Sequence, residues 1–133
     1  MQITRQADYA IRTVHYVSRL SAHEHVPTRQ IAKEQHIPAS FLAKIISQLS
    51  VAGLVHTTRG AHGGVALAKA PEEITLLEVV EAIDGPIMLN ECVSHTENCY
   101  FGKDCPLRGV WCETQNTLVQ RLRGTNFAQF SET

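Results

Sequence analysis

Thr28-Arg29-Gln30-Ile31-Ala32-Lys33-Glu34-Gln35-His36-Ile37-Pro38-Ala39-Ser40-Phe41-Leu42-Ala43-Lys44-Ile45-Ile46-Ser47-Gln48-Leu49-Ser50-Val51-Ala52 is the stretch whose reading decides the fold. Thr28 can N-cap a short helix running to about His36, with Ile31 and Ala32 facing inward. Ile37-Pro38-Ala39 then makes a turn. From Ser40 to about Ala52, Leu42, Ile45, Ile46 and Leu49 recur at i, i+3, i+4 and i+7, which leaves Ser40, Ala43, Lys44, Ser47 and Gln48 toward the other side. Gly53 is a natural stop. Two short helices joined by a tight turn, the second small-polar and basic on its outer face, read as a helix-turn-helix whose second helix enters a major groove.

The flanking residues extend that reading. Upstream, Ala7, Ala10, Ile11, Val14 and Val17 recur at helical spacing within Thr4–Leu20, while Arg5, Asp8, Arg12 and Arg19 fall largely off the stripe, so this segment is an amphipathic support helix. The polar stretch Ser21–Pro27 breaks it. Downstream, Leu54–Thr58 is β-prone, Arg59-Gly60-Ala61-His62-Gly63-Gly64 is a glycine-rich turn with cationic character, and Val65–Ala68 can return as the second strand. A hairpin in that place is the wing of a winged helix-turn-helix. The plainer alternative, a three-helix core with an idle hairpin, makes Lys44 and Arg59 solvated charges. It is disfavoured because the basic residues fall on the two elements that can reach DNA together.

Length and charge bound the rest. A chain of 133 residues with 44% hydrophobic content can form one core with an appended element. No apolar run approaches membrane length. Residues 1–70 carry eight Lys/Arg against three Asp/Glu (+5), and residues 71–133 carry four against ten (−6), giving the net charge of −1. A basic first half beside an acidic second half points to an anionic polymer as partner of the first. Arg5, Asp8 and Arg12 interrupt the start where a secretory leader needs an apolar core, so a reducing cytoplasm is the expected compartment. No residue reads as a nucleophile with its base, and His15, His56 and His62 fall on the support helix and wing, where packing or phosphate contact explains them; an enzyme is not expected.

The second half, residues 71–133, reads as a short helix, a loop over residues 87–105 and a last helix over residues 106–123. Pro71-Glu72-Glu73 opens a linker, and Thr75-Leu76-Leu77-Glu78 has capping-box spacing before a short helix with Leu76, Val79, Val80 and Ile83 on its apolar face, ending at Asp84-Gly85-Pro86. Residues 87–104 show no regular period. Pro106 suits the first position of a last helix over residues 106–123, striped by Leu107, Val110, Trp111, Thr114, Leu118 and Leu122. Such a helix commonly buries its stripe on a second copy, and a two-fold dimer matches a palindromic operator.

Cys92, Cys99 and Cys105 sit in the aperiodic stretch, residues 87–105, as C-x6-C-x5-C, and Cys112 lies in the last helix. The spacing has no CxxC pair, so it departs from structural zinc sites, and soft thiolates in a loop suit an iron–sulfur cluster at least as well. Inert buried thiols stand close behind, while disulfides are disfavoured in a reducing compartment. A loop of this length in so small a protein needs a reason, and a bound cluster supplies one.

The opening Ile3–Arg12, the segment Ile37–Ile45, the wing Thr58–Gly64, the segment Ile74–Pro86 and the three-cysteine loop together resemble the Rrf2 family of bacterial transcription regulators, in the same order over nearly the whole chain. The resemblance implies a mainly α fold with a small β-hairpin, a winged helix-turn-helix over residues 1–70 and a C-terminal dimerisation helix. Members include iron–sulfur sensors of nitric oxide, cluster supply, iron or redox state, and regulators without a cluster. It further implies that Cys92, Cys99 and Cys105 ligate a cluster, [4Fe-4S] in preference to [2Fe-2S]. The cluster-supply sensors place a His three residues after the third Cys, where this chain has Arg108. The nitric-oxide sensors can use an acidic residue early in the first helix of the other protomer, and Asp8 stands there. A surface carboxylate paired with Arg5 or Arg12 is the ordinary alternative for Asp8. Cys112 is awkward as fourth ligand, since seven residues of helix separate it from Cys105 by about 10 Å; His95 and His36 are weaker candidates. The expected function is a homodimeric DNA-binding repressor whose operator affinity is controlled by a bound iron–sulfur cluster sensing nitric oxide, redox or iron status, with the nitric-oxide-sensing type the nearest resemblance. Ser40, Lys44, Ser47 and Gln48 would address the major groove of double-stranded DNA, and Arg59 and His62 the minor groove and phosphates. A cluster-free thiol-redox or ligand-responsive winged-helix regulator is the alternative.

Overall fold

In the computed structural model, which describes residues 2–20, 24–90, 93 and 104–130, the elements follow one another as α1 (Arg5–Ser18), α2 (Thr28–Gln35), α3 (Ala39–Val51), β1 (Val55–Thr58), β2 (Gly64–Leu67), α4 (Leu76–Asp84) and α5 (Arg108–Arg123). Short 3-10 turns at Pro71–Glu73 and Phe127–Phe130 precede α4 and follow α5. The strands pair antiparallel, with Val55 opposite Leu67 and Thr58 opposite Gly64. Among the described residues no helix is long and apolar enough to cross a membrane.

Local chemistry explains most boundaries. Thr4 caps α1 by accepting from the Ala7 amide (3.1 Å), and Thr75 caps α4 by accepting from the Glu78 amide (3.1 Å). The capping box of α4 is half made, because the Glu78 carboxylate turns instead to Lys69 (2.9 Å). At the end of α3, Gly53 has φ +78, and the amides of Gly53 and Leu54 bond back to Ser50 and Leu49 (both 3.0 Å) in a Schellman closure. Thr28 does not act as the expected N-cap: Pro27 occupies the cap position and no side chain caps α2. Nor does Pro106 open the last helix, which starts at Arg108, two residues later than expected, after a turn through Pro106 and Leu107.

One core joins Ala10, Val14 and Val17 of α1, Leu42, Ile45 and Leu49 of α3, Val55 and Val65 of the hairpin, and Ile74, Val79 and Phe127 from the second half. A smaller cluster of Leu77, Val80 and Ile87 holds Leu118, Val119 and Leu122 of α5 against α4. Two features escaped the sequence. Val26 exchanges backbone hydrogen bonds with Val65 (3.0 and 2.8 Å), so the segment before α2 lies beside the wing. Beyond α5 the chain returns past α4's first turn, with Leu76 N–H to Thr125 O (2.9 Å) and Phe127 N–H to Ile74 O (3.1 Å), and seats Phe127 in the core with no exposed surface.

At the start of α5, Val110 and Trp111, with Leu107 just before the helix, are 59%, 40% and 63% exposed. Phe127→Ala should therefore destabilise the isolated chain by about 3–5 kcal/mol in urea unfolding, because it leaves a cavity in the shared core. Val110→Ala should leave the folding free energy within about 0.5 kcal/mol, as for a surface change; equal effects would contradict the packing described.

Candidate nucleic-acid interface and metal centre

The turn between α2 and α3 is built by His36 in the left-handed conformation (φ 54, ψ 44), a closing bond from the Ile37 amide to Ala32 O (3.0 Å), and Pro38 at the cap of α3. Ile37 is buried, which pins the turn to the core. With Leu42, Ile45, Ile46 and Leu49 buried, Ser40, Ala43, Lys44 and Ser47 stand on the exposed side of α3. Gln48 departs from the expectation in degree. It is half-buried, and its Oε1 is buried without a hydrogen-bond partner, so its side chain lies on the flank of the outer face and not at its centre. Two supports came from α1 and were not visible in the sequence. Arg12 Nη1 donates to Gln35 O (3.3 Å) at the end of α2, and the Tyr9 ring lies 6.5 Å from that of Phe41 in the first turn of α3. Both depend on contacts that only the folded chain creates.

The wing presents Arg59, Gly60, Ala61 and His62 as exposed residues at its tip. Its base is closely packed. A Cβ on Gly64, whose φ is +152, would run into the Val26 carbonyl, and one on Gly63 would meet the Thr58 carbonyl. Only glycine allows that approach, so the wing is locked against the segment entering α2. Cationic residues thus stand on α3 (Lys44) and on the wing (Arg59), with further exposed charges at Arg29 and Lys33 of α2. A surface of this kind holds phosphates by charge and base edges by small polar groups.

Of the expected cluster ligands, Cys92 and Cys99 lie outside the described residues, as does His95. Cys105 is half-buried and carries a free thiol three residues before α5, its carbonyl accepting from the Arg108 amide (3.2 Å). Cys112 is likewise free and half-buried on α5. Asp8 is exposed on the first turn of α1, and its Oδ2 lies 3.3 Å from Arg12 Nε, an ion pair one helical turn apart whose angle does not make a hydrogen bond. Such a pair holds a carboxylate loosely. His36 is exposed at the end of α2. Among the described residues no three Cys, His, Asp or Glu side chains converge on one point. The donor chemistry nonetheless fits an iron–sulfur group: Cys105 is neither sealed in the core nor locked in a disulfide, and Asp8 is loosely held.

The model of the Rrf2 family, described as iron-dependent transcriptional regulators, matches residues 3–133. The HTH-type transcriptional regulator NsrR of Shouchella clausii is 34% identical over 123 residues, covering 92% of this chain and 83% of that protein. NsrR of Halalkalibacterium halodurans is 35% identical over 123 residues, 92% of this chain and 84% of that one. Among solved structures, CymR, the global cysteine regulator of B. subtilis, superposes with a TM-score of 0.83 at 23% identity, over 99% of this chain and 97% of its own. At that identity the likeness concerns the fold alone.

The close approach at the wing base carries a direct expectation. Gly64→Ala should cost more than about 1 kcal/mol of folding free energy in denaturant unfolding, since both the positive φ and the Val26 carbonyl oppose a methyl group there. Ala61→Gly at the exposed tip should change stability far less. Equal stability of the Gly64→Ala protein would show that the wing does not rest on Val26.

Proposed function

The chain belongs to the Rrf2 family of transcriptional regulators, and on that premise we propose that it is a homodimeric repressor whose hold on a palindromic operator is set by an iron–sulfur cluster. The observation that carries the DNA half of this reading is the exposed outer face of α3, with Ser40, Lys44 and Ser47, beside an exposed wing bearing Arg59 and His62. Ser40, Lys44, Ser47 and Gln48 address base edges in the major groove, where short polar side chains reach donors and acceptors directly. Arg59 and His62 reach the minor groove and phosphates, which supplies affinity more than sequence choice. The exposed Val110 and Trp111 of α5, with Leu107 just before it, pack on the same stripe of a second copy, and the two reading heads then meet two half-sites. The compartment of such a regulator is the cytoplasm, and no catalytic step is part of this reading.

The cluster half is supported by the iron-dependent description of the family, by the NsrR relatives, and by the spacing of the cysteines. Cys92, Cys99 and Cys105 supply three thiolates and Asp8 of the other protomer a carboxylate oxygen, a donor set for [4Fe-4S] in preference to [2Fe-2S]. When bound, the cluster offers one weakly ligated iron open to nitric oxide or oxygen. Asp8 can serve because its present hold is an exposed pair with Arg12, worth about 0.3–0.5 kcal/mol. Cys105 is placed at the foot of α5, so a ligand there ties the dimer helix to the loop; Asp8 ties in α1.

Protein purified anaerobically should be brown and contain iron and acid-labile sulfide. Cys92→Ala, Cys99→Ala and Cys105→Ala should each abolish or cripple that content, Cys112→Ala should be milder, and Asp8→Ala should keep most of the iron while changing the absorbance spectrum. Colourless wild-type protein would remove the cluster from the account and favour a thiol-based switch.

The DNA surface is tested separately. Arg59→Ala should weaken binding to all sequences and reduce the salt slope by about one, whereas Ser47→Ala or Gln48→Ala should lose ~1–3 kcal/mol mainly on the operator. Unchanged operator affinity in all of these would place the reading surface elsewhere.

A further inference from the structure

Thr4 does more than cap α1. Its hydroxyl oxygen accepts from the Ala7 amide (3.1 Å) while its proton goes to Asp84 Oδ1 (2.6 Å), and its own amide points at Asp84 Oδ2 (3.4 Å). An ordinary N-cap hydroxyl gives its proton to water. Here the carboxylate of the last residue of α4 takes both donors of a residue 80 positions away in sequence. The short O–H to carboxylate distance is that of a charge-assisted bond, and the carboxylate sits at the positive end of the α1 dipole.

The position of this clasp is what gives it meaning. Asp84 is the last residue of α4, at its junction with the stretch leading to the cysteines: the chain turns at Gly85 (φ +79), buries Ile87, and gives the Leu89 amide to Gln115 Oε1 of α5 (2.9 Å). Thr4 opens the helix that carries Asp8 one turn on, and that helix supports the reading head through Arg12 to Gln35 O and Tyr9 against Phe41. The clasp is flanked by unfilled space. A cleft of about 300 Å³ lies between Ile3 and the Val80, Pro86 and Met88 side, and a more open one of about 500 Å³ lies toward Arg5 and Asp8. Ala7 seats the inner side of that turn in the core, while Thr4 at its head is exposed and is held to the end of α4 by the Asp84 carboxylate.

We propose that Asp84 is a positioning residue for DNA recognition: by holding Thr4 it fixes the first turn of α1 against the end of α4, and so carries changes in the cysteine-bearing stretch to the helix-turn-helix. The transmission from the cysteines rests on the function proposed above; the positioning of the reading head does not. Because both residues are exposed, the clasp contributes little to folding and much to geometry.

The test uses the full chain, an operator selected from a random-sequence DNA pool, and the ratio of operator to random-sequence affinity, which cancels any change in net charge. In the iron-free protein, Asp84→Ala and Thr4→Val should each lower that ratio about fivefold, the equivalent of one typical net hydrogen bond. They should also speed amide exchange in residues 7–10 without unfolding the chain. Asp84→Asn removes the same charge yet keeps one of the two acceptor oxygens, for the Thr4 hydroxyl, and should lose less than half as much as Asp84→Ala, while Thr4→Ser keeps the hydroxyl and should stay within about twofold of wild type. A wild-type ratio in Asp84→Ala, or an equal loss in Asp84→Asn, would overturn the proposal. In iron-loaded protein, Asp84→Ala should further shrink the difference in operator affinity between loaded and stripped forms. If wild type takes up no iron, the cluster reading fails while the iron-free ratios still decide the clasp.

Discussion

Helix α1 lies against α3 on one side and α4 on the other, and that double contact through Ala7, Ala10, Val14 and Val17 is what the remainder of the molecule is built on. The two alanines, without exposed surface, make the first half of the buried face flat. Larger residues there would force the neighbouring helices apart, since cores do not absorb added methylenes without strain. The consequence is functional. The same rigid helix serves as the back support of the reading head and as the floor on which the second half rests, so a displacement of α4 relative to α1 is a displacement relative to the DNA-binding surface.

The second half is not a loosely tethered appendage. Ile74, Val79 and Phe127 enter the same core as the helix-turn-helix, and the chain end returns past α4 to place Phe127 there. By contrast α5 is held over its later turns by Leu77, Val80 and Ile87, while Val110 and Trp111 near its start are exposed. Cys105 stands three residues before that start, which in the proposed dimer is where a second copy would meet the helix. A device that must invert operator occupancy from 1:99 to 99:1 needs about 5.5 kcal/mol of differential binding between two states. In the proposed function several iron–ligand bonds would link the loop, α5 and α1, whereas one exposed pair such as Asp8 with Arg12 falls far short of that difference.

Much of this architecture was legible in the sequence because it rests on local rules. The 3.6-residue stripes marked α1, α3 and α4, Gly53 marked the end of α3, Thr75 the start of α4, and the glycine run the turn of the wing. The remainder divides into three kinds. Thr28 and Pro106 carry the right chemistry for helix starts, but Pro27 had already set the entry to α2, and a turn intervenes before α5. Val26 on the wing, Phe127 in the core and Asp84 on Thr4 are pairings between distant segments, which no local period announces. Periodicity puts Gln48 on the outer face, yet its side chain is half-buried on the flank of that face, with Oε1 out of reach of solvent. The cysteine loop was read from ligand chemistry, since its spacing has no structural period to read.

The central claim is that one chain couples cluster state to operator affinity. The most direct measurement is an anaerobic titration of a selected operator with a single preparation, before and after removal of its iron by a chelator, at one fixed salt concentration. The account predicts that the two affinities differ by at least about tenfold, equivalent to 1.4 kcal/mol, while binding to random-sequence DNA changes little. Identical operator affinities with full iron loss verified would contradict it.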